Sequence, residues 1–354
     1  MNKKICHSRR DFIGNTLFAG AAFTFAKFAS ASQDGNNLDG SYGTPLKTEK
    51  IPQPEDDNCF WTGFSPVTDQ VAFITATRET ANLYISHLGQ PESFDLVWSL
   101  KSDKCNVTGC AWTPDGKEIA VLSGAINKKS SPPSTRVSIC VANAATKAIR
   151  ETIIKVNTNV VGKIWINNTG DSNGVAWFND SCVCTPMSDG RVMKFDTYTG
   201  DSETIIEPQQ GTFVRNVALT HFGELRFVRT TPLGPGNGEN AVVCSLRQDG
   251  TIYEFLNLTQ ELGKIFFSRL SQNGEYVFAE NGFPPADTLI YKIENKSIIG
   301  KIPQRVSCKD DTYGYFPVDV INDKELIIIE ISLLSADGDK PVTNTIMKAA
   351  KIIL

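Results

Sequence analysis

Side chains able to do chemistry are few along this chain and seldom grouped. Beyond residue 31 there are two histidines, His87 and His221, too few for a multi-histidine metal centre and poorly placed for a Ser-His-Asp relay. Cys182-Val183-Cys184 puts two thiols on one face of a strand. Such a pair suits a soft metal or redox exchange, and equally suits small core residues or structural disulfide partners. Cys105 and Cys110 stand close enough in sequence to bridge a loop. Hard oxygen ligands occur at Asp337-Gly338-Asp339 and Asn167-Asn168-Thr169-Gly170-Asp171. Neither has an EF-hand spacing, and turn chemistry explains both. There is no C-x-x-C-H, no G-x-S-x-G elbow and no glycine-rich phosphate loop leading into a helix. Residues of these types suit binding better than catalysis, so their meaning depends on the scaffold that presents them.

The scaffold is clearest at Gly109 to Gly124, where an apolar strand (Val107 to Trp112) meets a turn, Thr113-Pro114-Asp115-Gly116, and a second strand (Glu118 to Leu122). Proline presets φ and glycine takes the position that needs positive φ, which makes this a hairpin. The unit recurs with turns starting near residues 65, 113, 178, 220, 271 and 321, at intervals near 50 except for one of 65. Two more short β-branched or aromatic runs follow most units, and helical periodicity is nowhere sustained. A four-strand repeat of this length predicts an all-β propeller of six four-stranded blades. Seven is the alternative, because Val160 to Ile166 in the long interval reads as an inserted strand or a degenerate blade. The last unit lacks a strand and the segment Leu46 to Ile51 lacks a partner. The N-terminal strand is therefore expected to close the ring on the last blade and cover its edge.

Phe64 to Phe73 (F-S-P-V-T-D-Q-V-A-F), Trp112 to Val121 (W-T-P-D-G-K-E-I-A-V) and Ser271 to Ala279 (S-Q-N-G-E-Y-V-F-A) resemble the F-S-P-D-G-x-x-I-A-F repeat of TolB-like and WD40-like propellers. That resemblance implies the fold over nearly all of residues 59–354 and is a packing motif rather than a functional one.

Loop lengths indicate where a propeller of this kind binds. The hairpin turns are short, whereas Ser123 to Thr135, Thr231 to Asn240, Asn281 to Asp287 and Ser335 to Thr343 are long. So are the links Ser99 to Asn106, Lys155 to Asn173 and Pro303 to Tyr315. Both long classes emerge at one end of the ring, and elaborated loops on a rigid frame are where ligands usually sit. Candidate ligand or partner contacts at that end are Arg78, Glu79, Arg215, Asn216, Asp310, Asp311, Tyr313 and Tyr315. The two histidines are expected at short loops of the plainer end.

Residues 1–31 read as an export signal. Lys3 and Lys4 precede Ser8-Arg9-Arg10-Asp11-Phe12, a weakly apolar stretch follows, and Ala29-Ser30-Ala31 supplies small residues for cleavage. This resembles a twin-arginine signal, which also tolerates Lys27. The expected organisation is signal peptide 1–31, leader 32–58 with a closing strand, and a single propeller domain 59–354. Without the signal, the 35 Lys and Arg fall by five and the 39 Asp and Glu by one, leaving a formal charge of −8. An acidic chain with no basic cluster is a poor nucleic-acid ligand, and no later run is long enough to span a bilayer. Eight cysteines remain, which permits four disulfides; a chain that folds in a reducing cytoplasm before export would instead keep them as buried thiols.

The expected role is a non-catalytic module, periplasmic or secreted, that meets an envelope protein, peptide or small molecule on its loop-rich end, with no cofactor or a Ca2+ ion. The alternative is an enzyme with a channel site: a metal-dependent lactonase or hydrolase, or a subunit of a quinone-dependent system resembling amine dehydrogenases.

Overall fold

The computed structural model describes residues 47–351 except 55–58, 78, 89, 91–92, 128–133, 156–173, 188, 208, 235–236, 282–286, 304–305, 309–310, 323–324 and 335–341. The signal, Val160 to Ile166 and the oxygen-rich turns at 167–171 and 337–339 lie outside the described residues.

The chain is an all-β propeller. Strand β1 (Thr48–Lys50) precedes a first blade of β2 (Cys59–Phe64), β3 (Gln70–Ala76), β4 (Thr80–His87) and β5 (Phe94–Lys101). The second blade is β6 (Lys104–Trp112), β7 (Glu118–Asn127), β8 (Ser134–Asn143) and β9 (Ile149–Ile153). The third is β10 (Ala176–Asn179), β11 (Cys182–Pro186), β12 (Val192–Asp196) and β13 (Ser202–Ile206). The fourth is β14 (Phe213–Leu219), β15 (Leu225–Pro232), β16 (Glu239–Leu246) and β17 (Ile252–Asn257), followed by a single-turn helix α1 (Leu258–Leu262). The fifth is β18 (Phe267–Leu270), β19 (Tyr276–Glu280), β20 (Thr288–Lys292) and β21 (Ser297–Ile302). The remaining strands are β22 (Val306–Cys308), β23 (Asp311–Asn322), β24 (Glu325–Leu334) and β25 (Val342–Lys351). All pairings are antiparallel between successive strands, and β1 adds to β25 with Thr48 opposite Ala350.

The expectation of six four-stranded blades, or seven, is corrected. Five blades have four strands, and the other strands form one sheet of five in the order β1-β25-β24-β23-β22. The difference lies at Pro303 to Tyr315, which the sequence predicts to be a link. There β22 folds back on the start of β23, with Val306 opposite Tyr313, and β23 begins at Asp311 instead of near Phe316. The stretch Ser99 to Asn106 is likewise no long loop, since β5 runs to Lys101 and β6 starts at Lys104.

Each middle strand is sandwiched between two neighbouring sheets, which accounts for its sequence. Val71 to Ile74 on β3 are all buried, an unbroken apolar run of the kind expected when both faces of a strand are covered. Outer strands alternate instead, as in β21 with its exposed Ile298 and Lys301 beside buried Gly300 and Ile302. The core is divided into slabs between successive sheets. Ile74, Leu83, Trp98, Trp112 and Ile119 fill the first, Leu122, Ile139, Trp177 and Phe195 the second, and Phe227, Val192 and Ile206 the third. Val243, Leu258 and Val277 lie in the fourth, and Phe278, Ile290 and Leu326 in the fifth.

The hairpin turns repeat a hydroxyl at one position. Ser65, Thr113, Thr220 and Ser271 each donate a backbone N–H across the turn, to Gln70, Glu118, Glu224 and Tyr276, at 2.8 to 3.0 Å. Their side-chain oxygens accept N–H groups from the same turns, from Thr68 at 3.2 Å, Glu118 at 3.0 Å, Glu224 at 3.2 Å and Tyr276 at 3.0 Å. The hydroxyl thus satisfies backbone donors that a reversing chain leaves unpaired. Gly116, Gly223 and Gly274 take the positive-φ position, at 67°, 77° and 68°.

The inner strands lie side by side, β2 against β6 and β23, β10 against β6 and β14, and β14 against β18. Buried side chains bond across these seams to backbone. The Trp112 indole N–H donates to the Gly63 carbonyl at 2.9 Å and that of Trp177 to Ala111 at 3.0 Å. Arg269 donates to the Pro317 carbonyl at 3.2 Å, carrying the series from β18 to β23.

Close approach between blades also constrains the outer turns. Gly200 has φ 75°, and a Cβ there would overlap the Ile153 carbonyl of the neighbouring blade. Gly250 has φ 84° but nothing within 4 Å. Gly250→Ala should therefore cost about 1–2 kcal/mol of backbone strain. Gly200→Ala should cost clearly more in the same urea-unfolding measurement, because the clash adds to the strain; equal losses would mean that the seam there is loose.

Candidate functional site

The eight proposed contact residues do not form one cluster. Arg78 and Asp310 lie outside the described residues. Glu79 is exposed in the turn between β3 and β4, where its carbonyl accepts the Ser102 N–H at 3.0 Å and the Cys105 thiol at 3.1 Å. Asp311, Tyr313 and Tyr315 belong to β23 rather than to a loop, with Tyr315 opposite Glu330 on β24. Asn216 is fully buried. Its Nδ2 donates to the Ser268 carbonyl at 3.3 Å and its Oδ1 accepts the Leu270 N–H at 3.1 Å, so both ends of the amide serve the seam between β14 and β18.

Arg215 is different. It stands near the loop-rich start of β14, donates from Nη2 to Glu239 Oε2 at 2.7 Å, and reaches Thr230 Oγ1 with Nε at 3.3 Å. Glu239 is 5% exposed and its backbone N–H donates to the Ile265 carbonyl at 2.7 Å. The ion pair ties β14 to the start of β16, and the Glu239 backbone bond ties that same strand end to the entrance of the fifth blade.

On the other face of the same sheet, the one that the fourth blade turns toward the third, an open cleft of about 450 Å³ is lined by Gln209, Thr212, Arg229, Thr231, Asn240, Val242, Asn257, Thr259 and Gln260. Its origin lies in strand alternation. Leu225, Phe227, Arg229 and Thr231 share one face of β15, and Leu246, Cys244, Val242 and Asn240 oppose them on β16 in the same order. The inner members of both rows are buried in the slab shared with the third blade, while the outer members are polar. The apolar slab thus ends in a polar mouth. Glu254 of β17, opposite Cys244, pairs with Arg229. Asn257 caps α1 by accepting the Gln260 N–H at 3.0 Å, and Thr259 accepts the Ala241 N–H at 2.9 Å. The carboxamides of Gln209, Asn240 and Gln260 have no hydrogen-bond partner among the described residues. Sequence reading had marked the loop Thr231 to Asn240 but missed Gln209, Asn257 and Gln260; the change from apolar to polar along single faces of β15 and β16 was the available signal.

The bridge considered between Cys105 and Cys110 is not formed. Both residues lie on β6 and both thiols are free. Five residues of extended chain span about 16 Å, far beyond disulfide reach. Cys110 instead lies 3.8 Å from the Ala72 carbonyl. Cys140, Cys182, Cys184 and Cys244 are also buried free thiols. Burial pushes the Cys140 thiol up to about 12 and that of Cys244 to about 11, so neither is a ready nucleophile or soft-metal ligand near neutral pH. His87 ends β4, 3.4 Å from the Gln70 amide, and His221 occupies the turn between β14 and β15, 3.2 Å from Glu275. Among the described residues no three His, Cys, Asp or Glu side chains gather as a metal site, and no helix is long and apolar enough to cross a membrane.

No protein-family model matches the chain, and no curated protein matches it by sequence. Solved structures do. TolB from Acinetobacter baumannii is similar over 85% of this chain at 14% identity and a TM-score of 0.43, and the match spans 65% of that TolB, so this chain covers less than two thirds of its length. An oligogalacturonate lyase in complex with manganese is similar over 88% of this chain and 97% of its own, at 10% identity and TM-score 0.47. The β-propeller domain of Swd1 from Myceliophteria thermophila is similar over 86% and 100%, at 10% identity and TM-score 0.42. At such identities the likeness concerns fold alone.

One carboxyl near the axis is buried away from water. Asp319 on β23 is 4% exposed, and its Oδ1 accepts N–H groups from Gln272 at 3.3 Å and Val320 at 2.9 Å. Burial raises it from 3.8 to about 7 despite those bonds and the nearby Arg269, with Glu275 adding to the rise. The folded chain therefore holds a proton that the unfolded chain releases between about pH 4 and 7. Its stabilising effect is full below about pH 4 and lost as pH rises through 7. Asp319→Asn keeps the acceptor oxygen and should flatten that slope. Urea unfolding should find the variant more stable than the parent at pH 8, with the gap narrowing toward pH 5.

Proposed function

We propose that this chain is an exported, non-catalytic binding propeller that meets a partner through its loop-rich end. The observation that carries the reading is the polar mouth on the fourth blade, where three carboxamides without a partner among the described residues line an open cleft of about 450 Å³. A cleft lined by hydrogen-bonding groups that make no bond within the described residues is suited to recognition. Glu79 belongs to the same end, and Arg78, Asp310, Asp311, Tyr313 and Tyr315 remain proposed contacts there.

We further infer that β1 closes the ring. What supports this is its antiparallel register on β25 together with the position of β2 against both β23 and β25. Export by the twin-arginine route is supported by Ser8-Arg9-Arg10 and Phe12, and by six buried free thiols, the state that folding in a reducing compartment would leave. The signal would be residues 1–31, with the mature protein in the periplasm or beyond.

Two experiments test this reading. A photo-crosslinking residue placed at Glu79, Leu233 or Asn240 should yield a discrete adduct in intact cells, whereas the same residue at Val67, Asp115 or Phe222, in the hairpin turns of the opposite end, should not. Adducts from the turns alone would place the contact surface at the wrong end. Replacing Arg9 and Arg10 together by lysine preserves charge but removes the paired arginines. The precursor should then accumulate in the cytoplasm, and unchanged export would rule out the twin-arginine route.

A further inference from the structure

The geometry points to an extended peptide main chain as the ligand of the polar cleft on the fourth blade. This deepens the binding reading above and rests on it.

Charge narrows the choice first. Among the described residues Arg229 is the only ionisable side chain lining the cleft, and Glu254 already holds it. On the opposite face of the sheet Arg215 is likewise held by Glu239. A phosphate or carboxylate would have to compete with these carboxylates for its cation, so the cleft offers little to an anion. It offers no free carboxylate to a cation either.

The lining is instead rich in carboxamides and hydroxyls, with Gln209, Asn240 and Gln260 unbonded within the described residues and Thr231 beside them. A carboxamide presents a donor and an acceptor side by side. A peptide group presents the same pair, so the two can exchange reciprocal hydrogen bonds without either carrying charge. The spacing fits as well. Thr231 lies opposite Asn240, and Arg229 lies opposite Val242 two residues along the same face. Such pairs repeat at roughly 6.6 Å, which is also the repeat of alternate residues in an extended chain. Val242 gives the row one apolar floor for a small side chain. No aromatic ring among the described residues lines the cleft, so these residues give a sugar no flat apolar surface on which a pyranose face usually stacks.

The test is a titration of isotopically labelled protein followed through its side-chain amide signals, using acetyl-tetra-alanine-amide, maltose and inorganic phosphate as separate probes. Asn240→Ala and Gln260→Ala assign the signals, and both residues are exposed, so the melting temperature should stay unchanged. The peptide should shift the Gln209, Asn240 and Gln260 amides in a saturable way. The double variant should bind it about tenfold more weakly, the worth of two neutral hydrogen bonds. The proposal fails if the peptide shifts none of these signals, or if maltose or phosphate shifts them as strongly. A crosslinked partner at the rim with a silent cleft would sink this ligand assignment alone, whereas a rim that captures nothing would sink the binding reading itself.

Discussion

What fixes the blades against one another is a small set of side chains that reach from one sheet to the backbone of the next. Apolar slabs hold successive blades together, but packing of branched side chains tolerates sliding, whereas a buried donor aimed at a single carbonyl does not. Trp112 on Gly63, Trp177 on Ala111, Asn216 on Ser268 and Leu270, and Arg269 on Pro317 each set a seam at one register. Losing such a bond leaves a dry polar group at a cost of about 1–3 kcal/mol, a large share of the margin by which a domain is folded. The position of every loop at the rim follows from these few contacts.

The parts of the fold legible in the sequence were those decided within a few residues. Pro114 and Gly116 announce a turn by their own backbone limits, and Val71 to Ile74 announce a strand covered on both faces. The strand at Asp311 to Tyr315 was hidden because an acidic start and Gly314 look like punctuation, although Thr312, Tyr313 and Tyr315 are good strand formers. Its pairing with β22 and β24 decided the matter, and such pairing is not local information. The same limit governs the candidate site. Asn216 reads as a polar residue close to a loop, yet strand alternation turns it into a seam, where its amide is consumed by backbone. Gln209, Asn240 and Gln260 are scattered over some fifty residues and become neighbours only when the fourth blade is assembled.

Electrostatics at the loop-rich end is notable for cancellation. Arg215 and Arg229 each have a carboxylate within reach, and the other described side chains lining the cleft carry neutral hydrogen-bonding capacity. Neutral sites of this sort respond weakly to salt, because no counterions need to leave and no long-range attraction is screened. The buried thiols follow a related logic at the opposite extreme of polarity. Packed among aliphatic side chains, Cys140 and Cys244 behave as compact hydrophobes whose ionisation the surroundings suppress.

The strand of three residues at Thr48 to Lys50 has a further meaning for the life of the molecule. Its partner on β25 lies about 300 residues downstream, so the two can meet only after nearly every intervening residue has left the ribosome. Contacts of such long separation form late. Until β25 emerges, β1 therefore has no edge to join, and a nascent chain truncated anywhere in its final sheet would leave that short strand unpaired.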